Sequence, residues 1–126
     1  VIDEKNHYIK TMRAKNFNNF NKLLPSCDVG LSTVILEKII INSSCQFPNL
    51  KTKEDFVLWL TVLKKGHKIG ALKKILTLWR KVDNSLSSSV LQKLIDGYNV
   101  YRIHMNFNPL KSMYFLIVLS LTYLKK

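Results

Sequence analysis

Glu54 and Asp55 stand side by side in the stretch KTKEDFVLWLTVLKKG, residues 51–66 of a 126-residue chain. Carboxylates at the head of a helix can serve in two ways. They can complement the positive end of the helix dipole and cap its amides, with Thr52 as N-cap and Asp55 three residues later in a near capping box. Alternatively, one of them can accept a proton from a hydroxyl held within hydrogen-bond reach, acting as a general base. Spacing alone favours the cap and leaves the base open. Other reactive residue types are sparse. His7, His67 and His104 are scattered and read as ordinary surface or half-buried residues. Cys27 and Cys45 lack C-x-x-C spacing and clustered histidines, which excludes a zinc site. Two buried thiols in a reducing compartment are the plain reading, with a disulfide left open.

The elements that must position the carboxylate pair can be read from periodicity. Phe56, Trp59, Leu60 and Leu63 recur at i, i+3, i+4 and i+7, widened by Val57, Leu58 and Val62, so a helix starts at the pair. Lys64 and Lys65 suit its negative end, and Gly66 supplies the left-handed stop. Upstream, VIDEKNHYIK predicts a hairpin turning at residues 3–6. NFNNFNKLLP predicts a short amphipathic segment with Phe17, Phe20, Leu23 and Leu24 on one side, ended by Pro25. Residues 34–36 read as a buried strand and residues 38–41 as a turn of helix. Downstream, HKIGAL and ILTLWRK read as two short strands. The polar VDNSLSSS loop provides an N-cap at Ser87 or Ser88 for a helix over residues 89–105, which carries Leu91, Leu94, Ile95, Tyr98 and Tyr101 along one side. Asn108 and Pro109 then form the N-cap and first turn of a third helix. Its MYFLIVLSLTYL core runs twelve residues without charge. Spanning a bilayer takes about twenty, so this is a core helix or one lying in the membrane interface, flanked by Lys111, Lys125 and Lys126.

Hydrophobic residues make up 47% of the chain, enough for one packed core, and the length suits one domain. The net charge is +12. Residues 1–50 carry only +2 of it and residues 51–126 carry +10, which favours anionic partners. A basic, non-enzymatic module that binds nucleic acid or an anionic membrane is therefore one reading. Tyr98, Tyr101 and Arg102 could offer a stacking surface for bases, although helical spacing makes them core and rim instead. The chain opens at VIDEKN, in mid-hairpin and with no signal segment, as a piece of a longer protein would.

Five motifs occur in order: Ser32, Thr33 and Val34; Glu54, Asp55 and Phe56 leading into Leu58-Trp59-Leu60; Lys64-Lys65-Gly66; Trp79 and Arg80; and Asn84-Ser85-Leu86-Ser87-Ser88. In this order and spacing the chain resembles the C-terminal half of family 2 glycosyltransferases, the nucleotide-sugar-dependent enzymes that extend bacterial surface glycans. The resemblance implies an α/β fold. Residues 1–86 would be the acceptor-side half of a GT-A type domain, and residues 87–126 a C-terminal helical tail. It implies that Asp55 is the catalytic base of an inverting transfer, with Glu54 beside it, and that Arg80, Ser85, Ser87, Ser88, Ser32 and Thr33 contact substrate. The divalent metal of the full-length family, Mg or Mn, would sit on an Asp-x-Asp N-terminal to this region, with no ligand in this chain. The chain without that donor half is expected to be inactive by itself. The implied partners are a nucleotide-sugar donor and a saccharide or lipid-linked acceptor of lipopolysaccharide or capsule synthesis, not nucleic acid. The implied location is the cytoplasm, at the inner face of the cytoplasmic membrane, with contact through residues 109–126.

Overall fold

The computed structural model describes residues 1–41, 45–82 and 89–125, and its centre is a helix buried on every side. Helix α1 spans Phe20–Leu23, α2 Glu54–Lys64, α3 Val90–Asn99 and α4 Pro109–Leu124. In α2, Phe56, Val57, Leu58, Trp59, Leu60, Val62 and Leu63 are all buried. A helix apolar around its whole circumference has to be enclosed by the rest of the chain. Here Phe17, Leu23, Leu24, Val100, Tyr101, Met105 and Leu119 join it in one core cluster, drawn from both sides of residue 86. Burial of each large side chain in that cluster contributes roughly 1.5–3 kcal/mol. The helix stops where Lys64, Lys65 and Gly66 predict. Gly66 takes φ 89°, its N–H donates to the Leu63 carbonyl at 3.1 Å, and the His67 N–H reaches the Val62 carbonyl at 3.3 Å.

Asn19 caps α1 through its side chain, and the Tyr101 hydroxyl donates to the Leu24 carbonyl just beyond it at 2.7 Å. Burial pushes the Tyr101 phenol well above its ordinary range. Phe17 does not belong to the helix. It pairs with Ile69 in an isolated antiparallel bridge, and its ring enters the core from there.

Helix α3 continues into a π-helical turn, Val100–His104, so the predicted helix over residues 89–105 is present with a widened last coil. Its cap is Ser89, whose hydroxyl accepts from the Gln92 N–H at 3.2 Å, rather than Ser87 or Ser88. The buried side also differs from the expected stripe. Asp96, Gly97, Val100 and Tyr101 face inward, while Leu91, Leu94 and Ile95 stay exposed. Two contacts set that rotation: Asp96 is drawn inward by its hydrogen-bond partners, and Gly97 lets α4 approach closely. A Cβ at Gly97 would stand 3.0 Å from a Leu116 methyl. Helix α4 starts as predicted, with the Asn108 side chain accepting from the Lys111 N–H at 2.8 Å and Pro109 in the first turn. Phe107, stacked on Tyr101 at 6.5 Å, and Phe115, tilted 5.5 Å from the same ring, join α4 to the π turn.

The N-terminal hairpin is present. Asp3 N–H donates to the His7 carbonyl at 3.0 Å and Ile9 N–H to the Val1 carbonyl at 3.0 Å. Ile2 also makes a parallel bridge to Arg80. The strands expected at residues 34–36 and within HKIGAL and ILTLWRK are not formed; only Ile69 and Arg80 make single bridges there. Residues 34–36 instead lie between two 3₁₀ turns, Leu31–Thr33 and Lys38–Ile40. A strand is held by the hydrogen bonds of its neighbours, and among the described residues these segments make too few of them. Ile35, Ile75, Leu76 and Leu78 are accordingly left exposed. Cys45 is buried and Cys27 partly so.

Candidate functional site

The head of α2 is built by an acid outside it. Asp96, on α3 and buried, accepts both the Thr52 N–H at 2.9 Å and the Thr52 hydroxyl at 2.8 Å on Oδ2. Its Oδ1 accepts from the Gln92 side-chain amide at 3.0 Å. Thr52 is therefore not the N-cap, because its hydroxyl points to α3. The cap position falls to Lys53, which adopts φ 63° and ψ 16° with no side-chain cap bond. A lysine in this left-handed region costs roughly 1–2 kcal/mol, and it directly follows the residue that Asp96 clamps. The aliphatic stem of Lys53 lies over Gly97. α2 thus leaves a pinned and strained turn at its first residues, Glu54 and Asp55.

The expected capping box is absent. Asp55 does not bond back to Thr52. Its Oδ1 accepts from the Phe56 N–H at 2.8 Å, within its own residue step. The carboxyl is half-buried and raised above the ordinary 3.8, first by desolvation and further by the adjacent Glu54 charge, while the Phe56 N–H and Lys53 hold it down. Burial thus outweighs the helix-end amide. A half-exposed carboxylate with a raised proton affinity is chemically a better base than a capping aspartate would be.

The other predicted residues lie elsewhere. Arg80 is exposed, and its Nη1 donates to the backbone carbonyls of Asp3 at 3.1 Å and Glu4 at 3.2 Å, tying it to the hairpin. An open depression of about 430 Å³ covers that corner, lined in part by Asp3, Glu4, His7 and Lys81. Ser32 and Thr33 sit in the first 3₁₀ turn, exposed, with the Thr33 hydroxyl donating to the Gly30 carbonyl at 2.8 Å. Ser85, Ser87 and Ser88 fall outside the described residues. Among the described residues no hydrogen bond joins Arg80, Ser32 or Thr33 to Asp55; Glu54 and Asp55 alone are held together. No group of three or more His, Cys, Asp or Glu among them could hold a metal ion. Asp96 is the residue that periodicity overlooks. One signal was available: it is the last acid of the chain, set four residues after Gln92 and directly before Gly97.

Comparison with known proteins points in one direction. The chain is 34% identical over 100 residues to the Escherichia coli UDP-Glc:alpha-D-GlcNAc-diphosphoundecaprenol beta-1,3-glucosyltransferase WfgD, a match covering 78% of this chain and 38% of that protein. It is 33% identical over 84 residues to WfaP of the same organism, which bears the same enzyme name, across 67% of this chain and 33% of the relative. A Bacillus subtilis strain 168 protein, TuaG, named as a teichuronic acid biosynthesis glycosyltransferase, is 29% identical over 93 residues, covering 74% of this chain and 36% of TuaG. The curated relatives are thus glycosyltransferases, and the chain spans less than two-fifths of the length of each. No family model matches it, and no solved structure gives a significant match.

Proposed function

We propose that this chain is the acceptor-side part of a family 2, GT-A type glycosyltransferase that adds a sugar, with inversion, to a lipid-linked saccharide of the bacterial surface. The observation that carries the reading is the 34% identity over 78% of the chain to an enzyme named for a nucleotide-sugar donor and a diphosphoundecaprenol acceptor. The exposed apolar segments around Ile35 and residues 75–78 support an incomplete α/β domain, since strand-like segments that lack neighbours to pair with leave such side chains bare.

In this reading Asp55 is the base. An acceptor hydroxyl oxygen attacks the anomeric carbon of the donor and forms the new C–O bond. The bond from that carbon to the nucleoside diphosphate breaks, and its electron pair leaves with the diphosphate. The hydroxyl proton passes to the Asp55 carboxylate. Burial, with the Glu54 charge adding to it, keeps the proton affinity of Asp55 high, and the Thr52–Asp96 clamp holds the turn from which its helix starts. The divalent metal of the family would be held by the donor half outside this chain, and every role named above belongs to this chain's own residues. Arg80, Ser32, Thr33, Ser85, Ser87 and Ser88 would contact substrate in this reading. The test is transfer of labelled glucose from UDP-glucose to a GlcNAc-diphosphate lipid by the full-length protein. Asp55→Asn should lower the rate by about 10²–10⁴-fold. An unchanged rate in that variant would remove Asp55 from the mechanism, and no transfer by the unaltered protein with any nucleotide sugar would remove the class.

A further inference from the structure

The two acids at the head of α2 are held from outside their own helix. Lys53, at the cap position, makes no side-chain cap bond. Among the described residues, both hydrogen bonds that leave Thr52 end on Oδ2 of Asp96. Asp96 has little room to yield. It is 3% exposed, and its other oxygen is taken by the Gln92 amide one turn back at 3.0 Å. The next residue closes the junction. A Cβ at Gly97 would stand 3.0 Å from a Leu116 methyl of α4 and 3.6 Å from Cε of Lys53. The heads of three packing surfaces, from α2, α3 and α4, thus meet at the residue directly before Glu54 and Asp55.

The cost of this junction indicates what it is for. Turning Asp96 and Gly97 inward leaves Leu91, Leu94 and Ile95 of the same helix exposed. A helix packed for stability alone would bury those three and leave its acid in water. Lys53 sits at φ 63°, away from the conformations lysine prefers. Backbone of that kind persists where its surroundings over-determine it, and it clusters at functional sites. A general base must stand within hydrogen-bond reach of its proton, and a misplacement of about 1 Å can cost about a hundredfold in rate. We propose that Asp96 and Gly97 of α3, backed by Leu116 of α4, are positioning residues for the Asp55 carboxyl. The segment after residue 86 then belongs to the site and is not a separate tail. The inference rests on the proposed function for the role of Asp55, but not for the geometry that holds it.

The experiment is an NMR titration of the purified full chain carrying isotope-labelled aspartate carboxyls, with Asp55→Asn identifying the Asp55 signal by deleting it. Thr52→Val removes one bond of the clamp, and Gly97→Leu wedges the junction from the α4 side. Thr52→Ser and Gly97→Ala are their conservative counterparts. None of the four alters a charge, and the charged neighbours of Asp55, Lys53 and Glu54, stay in place. A displaced midpoint therefore reports a displaced carboxyl. Thr52→Val and Gly97→Leu should each move the Asp55 midpoint by about 0.5 or more, while Thr52→Ser, Gly97→Ala and the exposed-site control Ile117→Ala should stay close to the unaltered chain. Circular dichroism melts establish that each variant is folded at the titration temperature, and if Gly97→Leu is not, Thr52→Val decides. In the full-length protein the same two variants should lower kcat about 10–100-fold with KM for the nucleotide sugar unchanged. An Asp55 midpoint unmoved in folded Thr52→Val, or moved equally by Ile117→Ala, would overturn the positioning role whatever the rates do. A moved midpoint with unchanged transfer keeps the positioning and removes Asp55 as the base. Absence of transfer by the unaltered protein counts against the transferase reading and leaves the titration result standing.

Discussion

Asp3 and Asp55 each accept a backbone amide at 2.8 Å, yet their carboxyls move in opposite directions. Asp3 lies in the open hairpin. The His7 N–H donates to it first, the His7 ring and Lys5 N–H add to this, and the Arg80 charge adds a little more, so its pKa falls. Asp55 has one amide, partial burial and an acidic neighbour, and its pKa rises. A hydrogen bond from the backbone therefore does not decide acidity by itself. What decides is how much water the carboxylate loses in order to receive it. The hairpin uses its acid to hold a turn, and the α2 head holds its acid with a raised proton affinity.

The comparison can be broken most severely at Asp55. On the proposed function, Asp55→Asn in the full-length protein should remove about 10²–10⁴-fold of the transfer rate, and the unaltered protein should lose rate on the acid side with a midpoint above 3.8, because the proposed base must be ionised. The same change should raise thermal stability at neutral pH. A carboxyl raised by folding adds stability below its unfolded value and loses it as pH rises through the raised one, so an ionised Asp55 is a burden that Asn lifts. A melting temperature that falls in Asp55→Asn would show that the residue is a structural cap after all.

Next in size is the clamp. Asp96→Ala leaves two Thr52 donors buried and unpaired, and should cost roughly 3 kcal/mol in urea denaturation. Asp96→Asn, which keeps an acceptor oxygen, should recover part of that. A smaller effect of opposite sign is expected from Lys53→Gly. Glycine occupies φ 63° without penalty, so this variant should gain up to about 1 kcal/mol unless the turn is freed to move. The smallest change sharpens the contrast itself. Asp3→Asn should lower the melting temperature slightly at neutral pH, since a depressed carboxyl stabilises above 3.8 and loses that contribution as pH falls. If Asp3→Asn and Asp55→Asn shifted stability in the same direction, the account of burial against hydrogen bonding would be wrong.

Much of the fold was legible in order along the chain. The apolar residues of α2, its Gly66 stop, the Asn108–Pro109 start of α4 and the hairpin at residues 3–6 depend on local spacing and on backbone preferences that a few neighbouring residues settle. The motifs around Glu54 and Asp55 suggested a glycosyltransferase, and the relatives found are glycosyltransferases. The errors lie where one segment answers to another. Leu91, Leu94 and Ile95 looked like the buried stripe of α3, but Asp96 bonding Thr52 and Gly97 admitting Leu116 turned the helix away from them. Residues 34–36, 67–72 and 75–81 looked like strands, and composition cannot supply the neighbouring strand that such segments require.

The sequence by itself determined which stretches coil, where they stop, and that two carboxylates head the most apolar helix, because these follow from short-range sterics and the 3.6-residue period. Tertiary structure alone decided that Asp55 is a raised acid rather than a cap and that Thr52 serves α3 rather than α2. The reason is that proton affinity depends on lost solvation, and lost solvation depends on which distant segments come to rest against the group.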